Sequence, residues 1–202
     1  GLACIGTAMA PTGGEDTTFT LEIREFNMGT EFEGLDVCFF PDNEVSVSSC
    51  TGQMVTTDAS GNVSVTAPLG GWYAYRVFAN DLGGGASSNI QDSIQVNEVA
   101  PSDSAQGNSV SQGTLGLIPA VLGLTRADGT ALVAGTVQDC AGDPLYGTVV
   151  RMYDGGTLLE ETEETVTPKY RYFDGASFPS PTNAWTHVDG LYAAANIPAV
   201  AS

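Results

Sequence analysis

The sequence predicts an all-β fold of two tandem β-sandwich domains, on three observations. Apolar and polar residues alternate with a period of two in short runs. Turn-forming residues punctuate those runs about every 8–12 residues; the 202-residue chain holds 25 Gly and 10 Pro, more than an average protein but short of a low-complexity one. The second half then repeats the spacing of the first.

Residues 1–16 read as an N-terminal tail, with Pro11, Gly13 and Gly14 marking a linker. The first domain, residues 17–96, opens where Phe19, Leu21 and Ile23 alternate with Thr20, Glu22 and Arg24. A turn at Asn27-Met28-Gly29 leads to a strand over residues 35–40, which Pro41-Asp42-Asn43 breaks. Val45-Ser46-Val47 is expected to start another strand. Asp58-Ala59-Ser60-Gly61-Asn62 has the residues of a left-handed turn. Val63-Ser64-Val65 alternates again, and the aromatic-rich residues 72–78 form a closing strand. Alternation puts Trp72, Ala74 and Arg76 on one face of that strand and Tyr73, Tyr75 and Val77 on the other, the face better suited to the core. Residues 97–130 read as a connector: 97–113 are rich in Ser, Asn, Gly and Gln, and the apolar stretch 115–124 is either a short helix or a buried strand. Residues 131–202 form the second domain.

The repeat rests on glycines. Gly29 and Gly34 match Gly142 and Gly147 at an offset of 113, where Phe19 meets Leu132, Phe32 meets Leu145, Val37 meets Val150 and Phe39 meets Met152. The segment beginning Thr57-Asp58 matches the one beginning Thr186-His187 at an offset of 129, with Gly61 on Gly190. The 16-residue difference is an insertion in the second unit, across Glu160, Glu161 and the aromatic run Tyr170-Arg171-Tyr172-Phe173.

Charge excludes whole classes of partner. Lys and Arg number 6 against 24 Asp and Glu, a net charge of −18, so no cationic groove for nucleic acid can be built and an anionic bilayer is an equally poor partner. The longest apolar run, 115–124, falls short of the roughly 20 residues of a membrane-spanning helix and is interrupted by Pro119. The single histidine, His187, rules out two-His metal sites within one chain, and no C-x-x-C pair is present. No cofactor is expected.

The four cysteines, an even count in an acidic, Lys-poor chain, point to an oxidising extracellular setting, with buried free thiols as the alternative. Cys38 and Cys50 flank the Pro-Asp-Asn turn and are expected to pair; Cys4 and Cys140 are expected to form the second bridge, within one chain or between copies. The small, apolar N-terminus reads as a signal-peptide stub. Leu2-Ala3-Cys4 also resembles the end of a bacterial lipoprotein signal, but the residues ahead of Cys4 argue against lipidation.

The segments Gly142-Asp143-Pro144-Leu145-Tyr146-Gly147-Thr148-Val149-Val150 and Thr186-His187-Val188-Asp189-Gly190-Leu191-Tyr192, followed by Ile197-Pro198, resemble the carboxypeptidase regulatory-like, transthyretin-like β-sandwich. The resemblance covers about residues 130–200 well and 17–80 more weakly; in the first copy Glu31 replaces the Pro of the Gly-x-Pro turn. Tandem copies in acidic, Thr-rich chains are similar to surface lipoproteins of predatory and soil bacteria. The resemblance implies an Ig-like sandwich and no catalytic residues.

Site by site, the bland readings dominate. His187 with Asp174 or Asp189 has the makings of an acid–base pair, yet it occupies a turn position matched by Asp58. Glu160, Glu161, Glu163 and Glu164 read as a solvated run. Asp58, Ser60 and Asn62, and Asp139 with Asp143, offer oxygens suited to Ca²⁺, but the same residues simply make turns. No catalytic residue and no metal site is assigned. The aromatics around Trp72 and around Tyr170, with Trp185 beyond, form either core or a surface for glycan or protein.

After Pro198 only four residues remain, too few for a closing strand like that of residues 72–78. A strand-deficient sandwich leaves an unpaired edge, unless the chain is a fragment. The uncharged segment 2–10, with Leu2, Ala3, Ile5 and Met9 as its assembly residues, is the candidate to fill it from a neighbouring copy. The expected function is therefore a non-enzymatic extracellular or bacterial cell-surface structural protein, a filament or appendage subunit whose partner is itself or another surface protein. The alternative is a surface-displayed adhesion module for glycan or protein.

Overall fold

A computed structural model describes residues 11, 13–26, 28–83, 85–162, 164 and 167–198. The described chain is mostly β. Its elements are β1 (Asp16–Glu25), β2 (Asp36–Phe40), β3 (Gln53–Thr56), β4 (Asn62–Pro68), β5 (Trp72–Val77), β6 (Asn80–Asp81), β7 (Asn89–Gln91), β8 (Ser93–Val99), β9 (Ser104–Ser111), α1 (Gln112–Val121), β10 (Thr130–Thr136), β11 (Tyr153–Asp154), β12 (Thr157–Leu158), β13 (Lys169–Phe173), β14 (Pro179–Ser180) and β15 (Leu191–Pro198). The described residues up to Gly116 form one compact unit and those from Leu117 onward form another.

In the first unit the alternation of β1 does what its sequence requires. Phe19, Leu21 and Ile23 are buried while Thr18 and Thr20 face away from the core. β1 pairs antiparallel with β4, Leu21 opposite Val63, and parallel with β9, Leu21 opposite Ala105. One sheet has the order β4-β1-β9-β7-β6 and the other β3-β2-β5-β8. Their inner faces share a single core: Phe19, Leu21, Ile23, Val63 and Val65 from the first, Val37, Phe39, Tyr73, Tyr75 and Val77 from the second. Phe39 and Tyr73 lie 5.1 Å apart between ring centres, and Phe19 meets both. Each such ring contributes about 2–3 kcal/mol through burial alone.

Two expectations are corrected here. Residues 97–111 are not connector: β8 ends at Val99 and β9 is an interior strand of the larger sheet. The polar composition of β9 has a packing cause. Its inward positions Gly107, Ser109 and Ser111 are buried and small, because the Tyr75 ring comes across the core to them. A Cβ on Gly107 would stand 2.6 Å from the Tyr75 hydroxyl, which accepts the Asn108 amide at 2.5 Å and donates to Gln95. Burial pushes the pKa of that hydroxyl up. Nor is Val45-Ser46-Val47 a strand; β3 instead pairs with β2, and residues 41–52 are irregular.

The Cys38–Cys50 disulfide fastens that irregular segment, with Cα atoms 5.6 Å apart. Cys38 is wholly buried with Phe40 and Ala74 on the face of β2 and β5 opposite the main core, and Val45, Cys50 and Phe78 cover them. β5 is thereby buried on both faces at Ala74 and Tyr75.

The apolar stretch after residue 112 resolves as helix. Ser111 Oγ accepts the Thr114 amide, an N-terminal cap. The buried Glu25 carboxylate receives the Ser111 amide at 3.0 and 3.1 Å and the Thr114 hydroxyl, so the end of β1 is tied to the start of α1.

The second unit has a four-stranded antiparallel sheet, β10-β15-β13-β14, and a separate hairpin, β11-β12. Its buried apolar residues are Leu122, Tyr172, Ala193, Ala194 and Ala195, a far smaller set than in the first unit. A β-bulge lies between Ala131 and Val133. There Asn196, at φ 58°, turns a buried amide onto the Ala127 amide (2.8 Å) and the Thr125 carbonyl (3.1 Å).

Each unit has the same hydrogen-bonded frame around the matched threonines and glycines, with the strand residue that bonds the second glycine one position off the repeat offset. In the first, the buried Thr57 hydroxyl donates to the Phe32 carbonyl (2.6 Å) and accepts the Leu35 amide (2.9 Å), and the Thr57 carbonyl takes the Gly34 amide. In the second, Thr186 does the same with Leu145 (2.5 Å), Thr148 (3.0 Å) and Gly147. The Gly61 carbonyl accepts the Ile23 amide at 2.8 Å, and the Gly190 carbonyl accepts that of Val137 at 2.9 Å. Gly34, Gly61, Gly147 and Gly190 all have positive φ, which is why glycine marks the repeat. The insertion carries β13 and β14, and β13 pairs with β15 on the side away from β10.

Candidate functional site: an open strand edge and an aromatic groove

β10 corresponds to β1 and β15 to β4, and each pair is antiparallel. β1 is flanked on its other side by β9. β10 is terminal in its sheet, and among the described residues no strand pairs with its other side. Its sequence, Thr-Ala-Leu-Val-Ala-Gly-Thr, has no charge and no proline, and none of its residues is buried. Proteins ordinarily guard such an edge with charge, proline or a bulge; the register shift near Val133 lies on the paired side of β10, with its extra residue on β15.

Cys140 lies beyond the end of β10 and is disulfide-bonded. The Cys4 end of the expected bridge lies outside the described residues, as do the assembly residues Leu2, Ala3, Ile5 and Met9.

The insertion builds a groove of about 760 Å³ in the second unit. β13 forms its floor, the segment leading out of the β11-β12 hairpin forms one wall with Glu160 and Glu161, and residues 181–185 form the other, ending in Trp185. The tyrosines of β13 hold the walls in place: Tyr170 OH donates to the Leu159 carbonyl (2.7 Å) and accepts the Met152 amide (3.2 Å), while Tyr172 OH accepts the Val150 amide (3.0 Å). Glu161 is not a free surface charge. Its carboxylate receives the Tyr170 amide at 3.1 Å and pairs with Arg171 at 3.3 Å. Glu160 is exposed and, among the described residues, without a polar partner. Arg151 is exposed on the groove and forms no ion pair among the described residues. Trp185 is 50% exposed and also borders a second hollow of about 260 Å³ with Tyr146 and His187.

The structure thus brings Tyr170, Tyr172 and Trp185 together, with Tyr172 buried and Trp185 in solvent. Trp72 belongs to the first unit, where it is half-buried. The sequence pointed to the aromatics but not to Arg151 or Asn183, which meet them only through the fold.

The remaining candidates resolve as turns. The Asp58 carboxylate accepts the amides of Ser60 (2.8 Å) and Asn62 (2.9 Å), and that of Asp139 the amides of Ala141 (2.8 Å) and Asp143 (3.1 Å). His187 packs edge-on against Tyr146 at 5.5 Å. It makes no hydrogen bond to Asp174 or Asp189 among the described residues; Asp189 instead accepts the Ser177 hydroxyl at 3.0 Å. Backbone amides of Phe178 and Ala176 hold the Asp174 carboxyl below its ordinary pKa, with a lesser contribution from His187. Among the described residues no group of three His, Cys, Asp or Glu side chains converges as a metal site, and no helix is long and apolar enough to cross a membrane.

What these features define is an all-β protein with a disulfide, an open strand edge and a groove. No protein-family model matches the chain, and no curated protein matches it. Among solved structures, the Bacillus anthracis TIE protein is similar over 88% of this chain, at 13% identity and a TM-score of 0.32; the chain spans 25% of that protein's length.

Proposed function

We propose that this chain is a non-enzymatic extracellular structural protein, built as two tandem Ig-like or transthyretin-like domains of the carboxypeptidase regulatory-like kind, whose copies join by strand addition. The observation that carries this reading is the contrast between β1, flanked on both sides, and its repeat partner β10, flanked on one side among the described residues. The Cys38–Cys50 disulfide fits an oxidising compartment.

The added strand is segment 2–10 of a neighbouring copy. Its residues Cys4, Gly6, Ala8 and Ala10 are small at every second position. The same row of small residues occurs in β9 at Ala105, Gly107, Ser109 and Ser111, three of them buried beside β1. Such strand addition is heterologous and does not close, so it grows a filament.

The test is electron microscopy and light scattering of three proteins: the full chain, a chain lacking residues 1–10, and Ala134→Lys, which places a charge on an exposed position of β10. Filaments are expected only from the first, and adding a peptide of residues 2–10 should block their growth. Filaments from all three would overturn the reading.

A further inference from the structure

We infer that the groove over β13 is a carbohydrate-binding site, with the Trp185 indole as the platform for a pyranose ring. The inference stands apart from the β10 edge, which belongs to another part of the same unit.

The argument starts from which groups the groove leaves uncommitted. Its backbone and tyrosines are already occupied: the Tyr170 amide by Glu161, the Tyr170 hydroxyl by Leu159 and Met152, the Tyr172 hydroxyl by the Val150 amide. An extended peptide seeking main-chain pairing finds little to pair with on this floor. What remains is an exposed indole, the Glu160 carboxylate, the amide of Asn183 and the Arg151 guanidinium, which donates only to the Val150 carbonyl at 3.3 Å and keeps its other N–H groups for a ligand. The Asn183 nitrogen is anchored to the Phe173 carbonyl at 3.2 Å, which orients its oxygen.

A flat aromatic face beside planar, bidentate polar groups suits one chemistry in particular. The C–H face of a pyranose packs on an indole, and adjacent hydroxyls span the two ends of a guanidinium, carboxylate or amide. An aliphatic ligand would strand Arg151 and Glu160 without polar partners. A polyanion is opposed by Glu160, Glu161 and a net charge of −18. Arg151 has no acidic partner among the described residues, a state it shares with Arg126 and Lys169, whereas Arg24, Arg76 and Arg171 each have one; unlike Arg126 and Lys169 it lines the groove. The ligand class is therefore a neutral glycan, or one with isolated acidic sugars that Arg151 would meet.

The experiment uses the full chain against three neutral oligosaccharides, cellohexaose, chitohexaose and mannohexaose, followed by calorimetry and tryptophan fluorescence. Saturable binding to at least one, with Kd below about 1 mM, is expected. Trp185→Ala and Arg151→Ala should each weaken it tenfold or more, Trp185→Phe should retain much of it, and Trp72→Phe should leave it and its fluorescence signal intact. Circular dichroism checks that the variants fold. No binding by any of the three sugars, or binding that Trp185→Ala and Arg151→Ala leave unchanged, would overturn the inference. Filament formation by Trp185→Ala, if the full chain forms filaments, keeps the two readings separate.

Discussion

The two units share a frame and differ in how they are closed. Both use a buried threonine and two left-handed glycines to tie a turn to the first strand, with hydrogen bonds matching to within about 0.1 Å. The first then packs two sheets across a core of aromatic and branched residues, and β9 covers the outer side of β1. In the second, a two-residue-stranded hairpin stands where the first has β2, the buried set is dominated by alanine, and the insertion places β13 beyond β15, with β10 terminal in the sheet among the described residues. The lesson is physical. A local clasp of a few hydrogen bonds fixes where the chain turns, but core size and edge closure depend on strands brought from elsewhere in the sequence.

The largest expected effect breaks the comparison at one matched pair. Phe39 is fully buried and Met152 only partly so. Phe39→Ala should cost the first unit about 3–5 kcal/mol; Met152→Ala should cost the second about 1 kcal/mol or less. Trp72 lies in the first unit and Trp185 in the second, so urea unfolding followed in Trp72→Phe and Trp185→Phe backgrounds reads each separately. Equal losses would mean that the second unit buries a core as large as the first.

The Cys38–Cys50 bridge comes next. Removing it with Cys38→Ala and Cys50→Ala should lower the stability of the first unit by about 3 kcal/mol, the chain-entropy value for a short loop, because it holds the irregular residues 41–52 against Ala74. The Trp185 transition should not move. A shift in both transitions would mean that the units unfold together.

The shared clasp should respond alike on both sides. Thr57→Val leaves the buried Leu35 amide and the part-buried Phe32 carbonyl without the hydroxyl partner, and Thr186→Val does the same to the part-buried Thr148 amide and Leu145 carbonyl, at roughly 1–3 kcal/mol each. Equal losses in the two units sharpen the claim of duplication. A loss at Thr57 alone would reduce the frame in the second unit to coincidental geometry.

The parts of this fold legible in the sequence are strands with a plain apolar pattern: β1 and β4 alternate with period two, while β2 and β5 are apolar or aromatic runs buried on both faces. Gly34, Gly61, Gly147 and Gly190 announce the frame. β9 was not legible because its inward side must be small to admit Tyr75, and Gly107, Ser109 and Ser111 look like linker. β13 drew notice as an aromatic run but not as a strand, since Tyr170 and Tyr172 use their hydroxyls to hold the segments around Met152 and Leu159 rather than packing a conventional core. The groove was illegible for a topological reason: Arg151, Glu160 and Trp185 come from three segments that meet only once β13 is laid down. The terminal place of β10 among the described strands was not legible either, because strand order is set by pairing between distant segments.

The smallest expected effect concerns a turn that occurs three times. Asp58, Asp139 and Asp174 each accept amides two and four residues further on. The residue three positions on is left-handed in every case: Gly61 at φ 71°, Gly142 at 85° and Ser177 at 59°. Ser177 alone has a Cβ in that conformation, which costs about 1–2 kcal/mol, partly offset by the extra freedom glycine has when unfolded, about 0.5–1 kcal/mol. Ser177→Gly also loses an exposed hydrogen bond to Asp189, so the second unit should gain about 0.5 kcal/mol or less. The gain is steric and should be the same at pH 7 and pH 2. The Asp174 contribution behaves oppositely. Its carboxyl titrates below the ordinary 3.8 in the fold, held down by the Phe178 and Ala176 amides and then His187. Its stabilisation is present above the unfolded pKa and is lost as pH falls through the lower folded value. Trp185-detected urea midpoints at both pH values separate the two: Asp174→Asn should flatten the acid dependence, and Ser177→Gly should raise both midpoints equally. A Ser177→Gly gain that vanishes at pH 2 would show that the left-handed residue acts through the Asp174 charge instead of through its own backbone.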